Sequence, residues 1–553
     1  MKRILHSAVA GGGLSFVCYF GLIEPLINPS HTWIYHDDGA AAPFFLPVVI
    51  NAVLLWVFFS LLLLLAGMSG RMRVMVWSGV ILFAPRCLLK DVFQLSQWTL
   101  PHWLSIAIFF ACALSWIAVN AAWRASFVPV FEHARHFSSR MLAVACLAGF
   151  LAMGQMSWYL WEARSLNSPH RLHSSMDNAA AAEPGPRPRV IWIVLDELSY
   201  QQVYERRFPS LALPAFDRLA SQSAVFTRVS PASNRTETAV PSLMTGLRVN
   251  LIRAGADGGL EQLHDPATGR WQPFHAQDTV FQDALDRGFR PGIAGWYNPY
   301  CRILADVLDS CRWVFKDEYE QGIRPGASTL SNLVGSWRDT LAHVGFRRFQ
   351  APESSESLVE TEAHVADYLY LVSAGDRLLR DSSVDFLLLH IPVPHPGGIY
   401  DRRTGTFTTH RSSYIDNLAL ADSYLAHVRY VLEQRGEWDS SAIVVMGDHS
   451  WRTQLFWKTS PSWTAEDEAA SHGGQFDDRP GYIVKLPHQT VAAKIDAPFS
   501  AVRTRALLRG ILDGSIRSVP ELADFAGQPR NQGERPQLPA TRVEGAGTGS
   551  RGR

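Results

Sequence analysis

The sequence predicts an α/β protein: five N-terminal transmembrane helices, then a domain whose mostly parallel sheet is covered by helices on both faces. Three observations carry this reading. Apolar residues make up 47% of the 553 residues but gather in long runs within the first 160. Beyond residue 190, short apolar runs alternate with amphipathic helical patterns, as in a parallel sheet. Several of those runs end in Asp or His, although a strand buried on both faces should be apolar to its end.

The hydrophobic runs lie at about 4–26, 43–66, 74–89, 101–123 and 141–161. Four are long enough to cross a bilayer, while the third is short, with Arg86 and Lys90 towards its outer end. Lys2 and Arg3 precede the first run, and Arg71 and Arg73 lie between the second and third. Arg124, Arg135 and Arg140 lie between the fourth and fifth, whereas the loop 28–38 has no Lys or Arg. The positive-inside rule therefore predicts a multi-pass protein of the inner or plasma membrane. Its N-terminus is cytoplasmic and everything after the fifth span is outside. With Lys+Arg and Asp+Glu both at 51, the chain has no net charge, and nucleic acid is not an expected partner.

The chain divides into four segments: a membrane domain (1–161), a Ser-, Ala-, Pro- and Arg-rich linker (162–189), a catalytic domain (190–526) and a tail (527–553). The tail is expected to be disordered, because it has no core pattern. Cys18, Cys87, Cys112 and Cys146 fall in or beside the spans, where a thiol is a small apolar residue. Cys301 and Cys311 are close together in an exported domain and are expected to form a disulfide.

Within the domain, strands are expected at 190–195, 223–227, 384–390, 442–446 and 481–486. Tyr414, Leu418, Leu425, Val428 and Leu432 share one face of a helix. The stretch 250–345 is less regular and reads as insertions around a site. The first strand, Val190 to Leu195, runs into Asp196 and Glu197; ligands of open α/β sheets bind at such carboxyl ends. A solvated strand end would also carry acids, so Asp196 gains weight only from motifs further along the chain.

After strand 223–227, Thr236-Glu237-Thr238-Ala239-Val240-Pro241 opens a helix. Thr238 reads as its N-cap, with Pro241 in the first turn. A hydroxyl there faces the positive end of a helix dipole, a natural seat for an anion. Strand 442–446 ends in Gly447-Asp448-His449, which offers a hard oxygen and an imidazole. With Asp196 these make a carboxylate-rich site suited to Zn or Mn. Strand 384–390 leads to His390 and His395, and His472 stands in the loop Ser471-His472-Gly473-Gly474. Each lone histidine could equally be a hydrogen-bonded loop residue; three strands ending in such groups are harder to dismiss.

From Val190 to about Pro487 these pieces resemble, in order and spacing, the sulfatase-like branch of the alkaline phosphatase superfamily. Leu213-Pro214-Ala215-Phe216-Asp217-Arg218-Leu219-Ala220 resembles the segment before the nucleophile. Leu243-Met244-Thr245-Gly246 resembles the end of the nucleophile helix, and counting back ten residues gives Thr236. Tyr414, Asn417, Asp422 and Gly447-Asp448-His449 resemble the later core. The resemblance implies an alkaline-phosphatase-like fold and a divalent metal held by Asp196, Asp448 and His449.

True sulfatases make formylglycine from a Cys or Ser in a Cys/Ser-x-Pro-x-Arg motif, and this chain has Thr236-Glu237-Thr238-Ala239-Val240 instead. Threonine is the nucleophile in the superfamily's phosphodiesterases, lipoteichoic acid synthases and phosphoethanolamine transferases. The last two are also similar in having about five N-terminal spans. The membrane transferases usually have Glu where this chain has Asp196. The expected function is thus transfer of a phospho group from a phospholipid or other phosphodiester, with Thr236 as nucleophile. His395 would help neutralise the phosphate, and His390 and His472 would serve a second metal or the leaving group. A membrane-bound phosphodiesterase or phosphatase, a sulfatase-like hydrolase and an inactive envelope module are the alternatives.

Overall fold

The computed structural model describes residues 1–27, 35, 41–95, 124–163, 187–255, 258–315, 328–343 and 353–528. Four long helices come first: α1 (Lys2–Ile27), α2 (Ala41–Ala66), α3 (Gly70–Leu95) and α4 (Arg124–Ala163). Helix α1 packs against α2 and α4, and glycines make the approach possible. A Cβ on Gly13 would lie 2.0 Å from the Leu142 carbonyl oxygen. Small residues at such crossings let helix backbones come close where burial from water gives no drive.

Two of the described helices are long and apolar enough to cross a membrane, over Leu46–Ala66 and Val128–Trp158. Five spans are therefore not what the described residues provide. The runs at 4–26 and 74–89 are helical, but Lys2, Arg3, Arg71, Arg73, Arg86 and Lys90 or intervening polar residues dilute them. The run at 141–161 is the second half of one 40-residue helix that begins at Arg124. The run at 101–123, most of the linker and the tail beyond Gln528 lie outside the described residues.

The main sheet has eight strands: β1 (Val190–Leu195), β2 (Ala224–Phe226), β3 (Pro291–Trp296), β4 (Ser310–Val314), β5 (Phe386–Ile391), β6 (Ala442–Met446), β7 (Tyr482–Lys485) and β8 (Ala493–Ile495). Their spatial order is β8-β2-β7-β6-β1-β5-β3-β4. β1 pairs in parallel with β6 and β5, and β3 with β5 and β4, while β7 alone runs against its neighbours β6 and β2. The predicted mostly parallel sheet is thus present, and all six residues of β1 are buried because a strand lies on each side and a helical layer over each face.

Alternation divides β1 between two cores. Trp192 and Val194 join Leu243, Met244, Phe281 and Leu507 on one face. Ile191, Ile193 and Leu195 join Phe216, Leu371, Leu418, Val428 and Leu432 on the other. The first face carries α6 (Thr236–Thr245) and α10 (Thr504–Leu512); the second carries α5 (Pro214–Ala220), α8 (Glu353–Arg380) and α9 (Tyr414–Gln434). Helix α9 starts in a capping box, Ser413 with Asp416. Its Asp422 accepts the N–H groups of Ala215 and Phe216 at the start of α5.

The stretch 250–345 holds more than insertions. It contains a three-stranded antiparallel sheet (Leu251–Ala254, Leu260–Asp265, Arg270–Pro273) but also β3 and β4 of the main sheet. The pattern hid β3 because Pro291, Gly292 and Gly295 interrupt its apolar residues. Packing demands at least one of those glycines: a Cβ on Gly295 would lie 2.3 Å from the Tyr300 ring. Helix α7 (Thr329–His343) leaves the domain to pack on α2, where Asn51 Nδ2 donates to the Leu333 carbonyl at 3.1 Å.

Candidate active site

The ends of β1, β6 and β5 and the start of α6 converge at one edge of the sheet. β1 delivers Asp196 and Glu197, and β6 delivers Asp448 and His449 across Gly447. A Cβ on Gly447 would meet the Leu198 carbonyl oxygen at 2.7 Å, so only glycine lets the two strand ends approach this closely. His390 sits in β5 itself, beside Val194 and Gly295. Thr236 opens α6, with Arg235 as the N-cap. The helix thus begins three residues earlier than the Thr238 reading, and Pro241 lies in its second turn. Thr238 instead bonds Ser233 Oγ at 2.6 Å and the Arg235 carbonyl at 3.2 Å.

The groups are buried and close. Thr236 Oγ1 donates to Asp196 Oδ2 at 3.2 Å and lies 3.3 Å from His449 Nε2. His449 Nδ1 is 3.1 Å from the Ser450 carbonyl, which can only accept, so the ring proton is on Nδ1. Its Nε2 is then a lone pair, yet it lies 3.1 Å from Asp448 Oδ2. Two acceptors facing each other this closely are reconciled by a cation between them. Asp196 Oδ1, Asp448 Oδ2 and His390 Nε2 are buried and accept or donate no hydrogen bond among the described residues. Hard oxygens with imidazole nitrogen suit a divalent ion such as Zn or Mn.

Ligand atoms of Asp196, Asp448 and His449 fall within 4.8 Å of one another, and so do those of Asp196, Glu197 and His395. Burial, reinforced by the charges of Asp448 and Glu197, pushes the Asp196 carboxyl well above the usual range. Burial also raises Asp448. Burial pushes His449 and His390 down to about 4, and His395 well below its ordinary value, so all three imidazoles are neutral at pH 7.

His390 Nδ1 hydrogen-bonds the Tyr300 hydroxyl at 2.7 Å, and its Nε2 lies 3.8 Å from Asp196 Oδ2. His395 spends Nδ1–H on the Pro396 carbonyl at 2.8 Å. Its Nε2 therefore presents a lone pair, which can accept a proton. Asn417 holds the His395 segment by donating to its carbonyl at 2.7 Å. His472 is not brought to this group: it is exposed in the turn after Ala465–Ala470, with φ +51°.

Several participants escaped the sequence reading. Tyr300 orients His390, and Cys301 beside it is disulfide-bonded to Cys311 on β4. Glu197 has φ +62°, uncommon for a residue with a side chain, and a fully buried carboxylate. Arg452 and Trp457 bond that carboxylate, and the Tyr414 hydroxyl donates to the Glu197 carbonyl at 2.8 Å. Arg452 follows His449 by only three residues, so a cation beside the Asp-His pair was the available signal. Tyr300 left none.

The sulfatase family model matches residues 188–487, more than half of the chain. No curated protein matches it. Similar solved structures include a phosphonate monoester hydrolase of Agrobacterium radiobacter, at 16% identity over 62% of this chain and 78% of that one, with a TM-score of 0.37. A sulfatase from Pseudoalteromonas sp. is 13% identical over 62% and 71%, TM-score 0.37. A murine ectonucleotide pyrophosphatase/phosphodiesterase is 10% identical over 61% and 99%, TM-score 0.33. The chain belongs to the sulfatase family, as a sulfatase-like hydrolase of the alkaline phosphatase superfamily.

Proposed function

We propose that this enzyme is a membrane-anchored, metal-dependent phospho-group transferase. It cleaves a phosphodiester through a phospho-threonine on Thr236 and passes the group, drawn from a phospholipid, to an acceptor in the cell envelope. The observation that carries the reading is the Thr236 hydroxyl, held at the first turn of α6 between Asp196 and His449. Threonine cannot supply formylglycine, which favours phosphate over sulfate as the group attacked.

Asp196, Asp448 and His449 would hold a divalent ion, with His390 at its edge; the ion supplies Lewis acidity that lowers the pKa of a neighbouring hydroxyl. Thr236 already directs its hydrogen at Asp196 Oδ2, which leaves an oxygen lone pair for in-line attack on phosphorus. The Thr236 O–P bond forms as the ester P–O bond breaks; the Thr236 proton passes to Asp196 Oδ2, and the leaving oxygen takes a proton from water. The positive end of the α6 dipole favours the anionic ester beside Thr236. In the second half, an acceptor hydroxyl attacks phosphorus and gives its proton to His395 Nε2, while the Thr236 O–P bond breaks and Asp196 returns the proton to Thr236.

Two apolar helices of spanning length support a lipid donor, and a water acceptor would make the same chemistry a hydrolysis. The test is a substrate panel: full-length protein with Mn or Zn, given a phosphodiester, a phosphomonoester and a sulfate ester, then a phospholipid with a hydroxyl acceptor. Diester cleavage with transfer to the acceptor is expected. Preference for the sulfate ester would overturn the reading.

A further inference from the structure

The connection between α1 and α2 sends one described residue, Tyr35, into the catalytic domain. Its side chain is fully buried and belongs to the same core as Tyr300, Ile303 and Leu304. The hydroxyl donates to Asn298 Oδ1 at 2.9 Å, across 263 residues of sequence. The Tyr35 carbonyl accepts from Arg302 Nη1 at 3.4 Å, and the same nitrogen donates to the Gly258 carbonyl at 3.2 Å. Burial raises the Tyr35 hydroxyl, and the charge of Glu237 adds to the shift, so the hydroxyl also feels the start of α6. A buried ring with a satisfied hydroxyl makes a firm anchor.

The segment that receives Tyr35 leads to the reactive edge. β3 ends at Trp296; Tyr297 then takes φ +71°, and the Asn298 N–H donates back to the Trp296 carbonyl at 2.8 Å. The Tyr300 N–H donates to the Asn298 carbonyl, also at 2.8 Å, and opens the helical turn Tyr300–Ile303. A left-handed residue with a side chain persists only where its surroundings hold it. Asn298 is fully buried here, and Tyr300, two residues on, hydrogen-bonds His390 Nδ1 at 2.7 Å. Burial, with Tyr35 close by, pushes the Tyr300 hydroxyl well above its ordinary value, so it stays protonated beside that imidazole. The Cys301–Cys311 disulfide ties the turn to β4, and Tyr35 ties it to the N-terminal helices.

We propose that Tyr35 is a positioning residue of the active site, supplied by the connection between α1 and α2 to a socket beside Asn298, Tyr300 and Arg302. It seats the 297–303 turn, and through Tyr300 it fixes the ring of His390. The matched family region, 188–487, does not contain Tyr35, so the site draws on a residue outside the domain that carries its chemistry. The N-terminal helices therefore help to shape the site and do not merely precede it. The inference concerns the placement of His390 and stands whichever ester the site attacks.

Full-length Tyr35→Phe, Tyr35→Ala, Asn298→Ala and Tyr300→Phe test this with two readouts. The first is hydrogen exchange followed by mass spectrometry. In Tyr35→Ala the segment 296–304 should exchange about tenfold faster than in wild type, with β6 unchanged. The second is turnover of whichever ester in the substrate panel wild type uses best. Tyr35→Ala and Asn298→Ala should each lower kcat on the order of tenfold, with KM within about threefold. Tyr35→Phe keeps the ring and should lose about threefold. Because Tyr35 acts through Tyr300, Tyr35→Phe combined with Tyr300→Phe should fall no more than about twofold below Tyr300→Phe alone. Single effects that multiply in the double variant, wild-type kcat in Tyr35→Ala, or unchanged exchange at 296–304 would overturn it. If Tyr35→Ala does not fold, Tyr35→Phe and the double variant decide. If wild type turns over no ester in the panel, the proposed function fails, and exchange at 296–304 decides the role of Tyr35.

Discussion

The N-terminal helices and the sheet domain both bury an apolar core but differ in what they expose. On α2, Val53, Leu54, Val57, Phe58, Leu61 and Leu65 face outward, while Asn51 is fully buried and bonded to the backbone of α7. In the same bundle Trp56 donates to the Ala8 carbonyl and Ser15 to the Ala52 carbonyl, so polar groups point in. The sheet domain buries Val, Ile, Leu and aromatic side chains in two layers and gathers Asp196, Glu197, Asp448, His390 and His449, all buried, at one edge. The difference teaches how each region is held. Expulsion of apolar surface from water stabilises the domain, whereas a bundle surrounded by lipid would rely on close packing and internal hydrogen bonds. In the charged cluster at that edge, Arg452 balances Glu197, and a divalent ion would balance Asp196 and Asp448.

The sharpest way to break the comparison is at the domain's reactive edge. Thr236→Ala removes one hydroxyl and no ligand, so activity on a phosphodiester should fall on the order of 10⁴-fold, as for nucleophiles generally. Circular dichroism and metal content should stay at wild-type levels. More than a few per cent of residual activity would move the chemistry away from Thr236.

A second test sets two equally exposed leucines against each other. Leu61 on α2 is 54% exposed and Leu455 in the sheet domain 56%. If α2 lies in lipid, Leu61→Arg should cost about 3 kcal/mol and lower membrane yield, while Leu455→Arg stays within about 0.5 kcal/mol. Equal effects in a detergent-solubilised melting assay and in membrane fractionation would show that both surfaces face water.

A smaller effect is expected at the link that steadies Tyr300. Cys301→Ser opens a loop of sequence separation 10 and should cost about 2.5 kcal/mol on chain-entropy grounds. Chemical denaturation measures this. Because Tyr300 is the neighbour of Cys301 and orients His390, activity should fall further than the lost stability alone explains. A variant equally stable and active would detach this loop from the site.

Much of this was legible in the residues, for identifiable reasons. β1, β5 and β6 are apolar runs but for His390 in β5, and burying Asp196, Asp448 or His449 at such strand ends is costly without a partner. The face Tyr414, Leu418, Leu425, Val428 and Leu432 is buried as its period required. β3 was hidden because its glycines answer to tertiary contacts, Gly295 to the Tyr300 ring, and such contacts leave no periodic trace. The α6 start was misplaced by three residues because Thr238 is the residue type a cap favours, whereas the observed cap is Arg235 and Thr238 bonds Ser233 instead. Of the five spans read from hydrophobicity, two are helices that pass the same test of length and apolarity, and the run at 101–123 lies outside the described residues. Glu197 and Asp196 are alike on the page; only Arg452, brought from the loop after β6, makes one a salt-bridge partner and leaves the other open to a metal.

The account turns on a covalent bond to one oxygen, and that bond can be caught. Full-length enzyme, loaded with Mn and mixed briefly with excess phosphodiester, would be quenched in acid, digested and analysed by tandem mass spectrometry. The prediction is a phospho-group adduct on Thr236 that forms within a turnover, disappears when acceptor is added and is absent from Thr236→Ala. Steady turnover with unmodified Thr236 at every quench time, or an adduct on another residue, would contradict it.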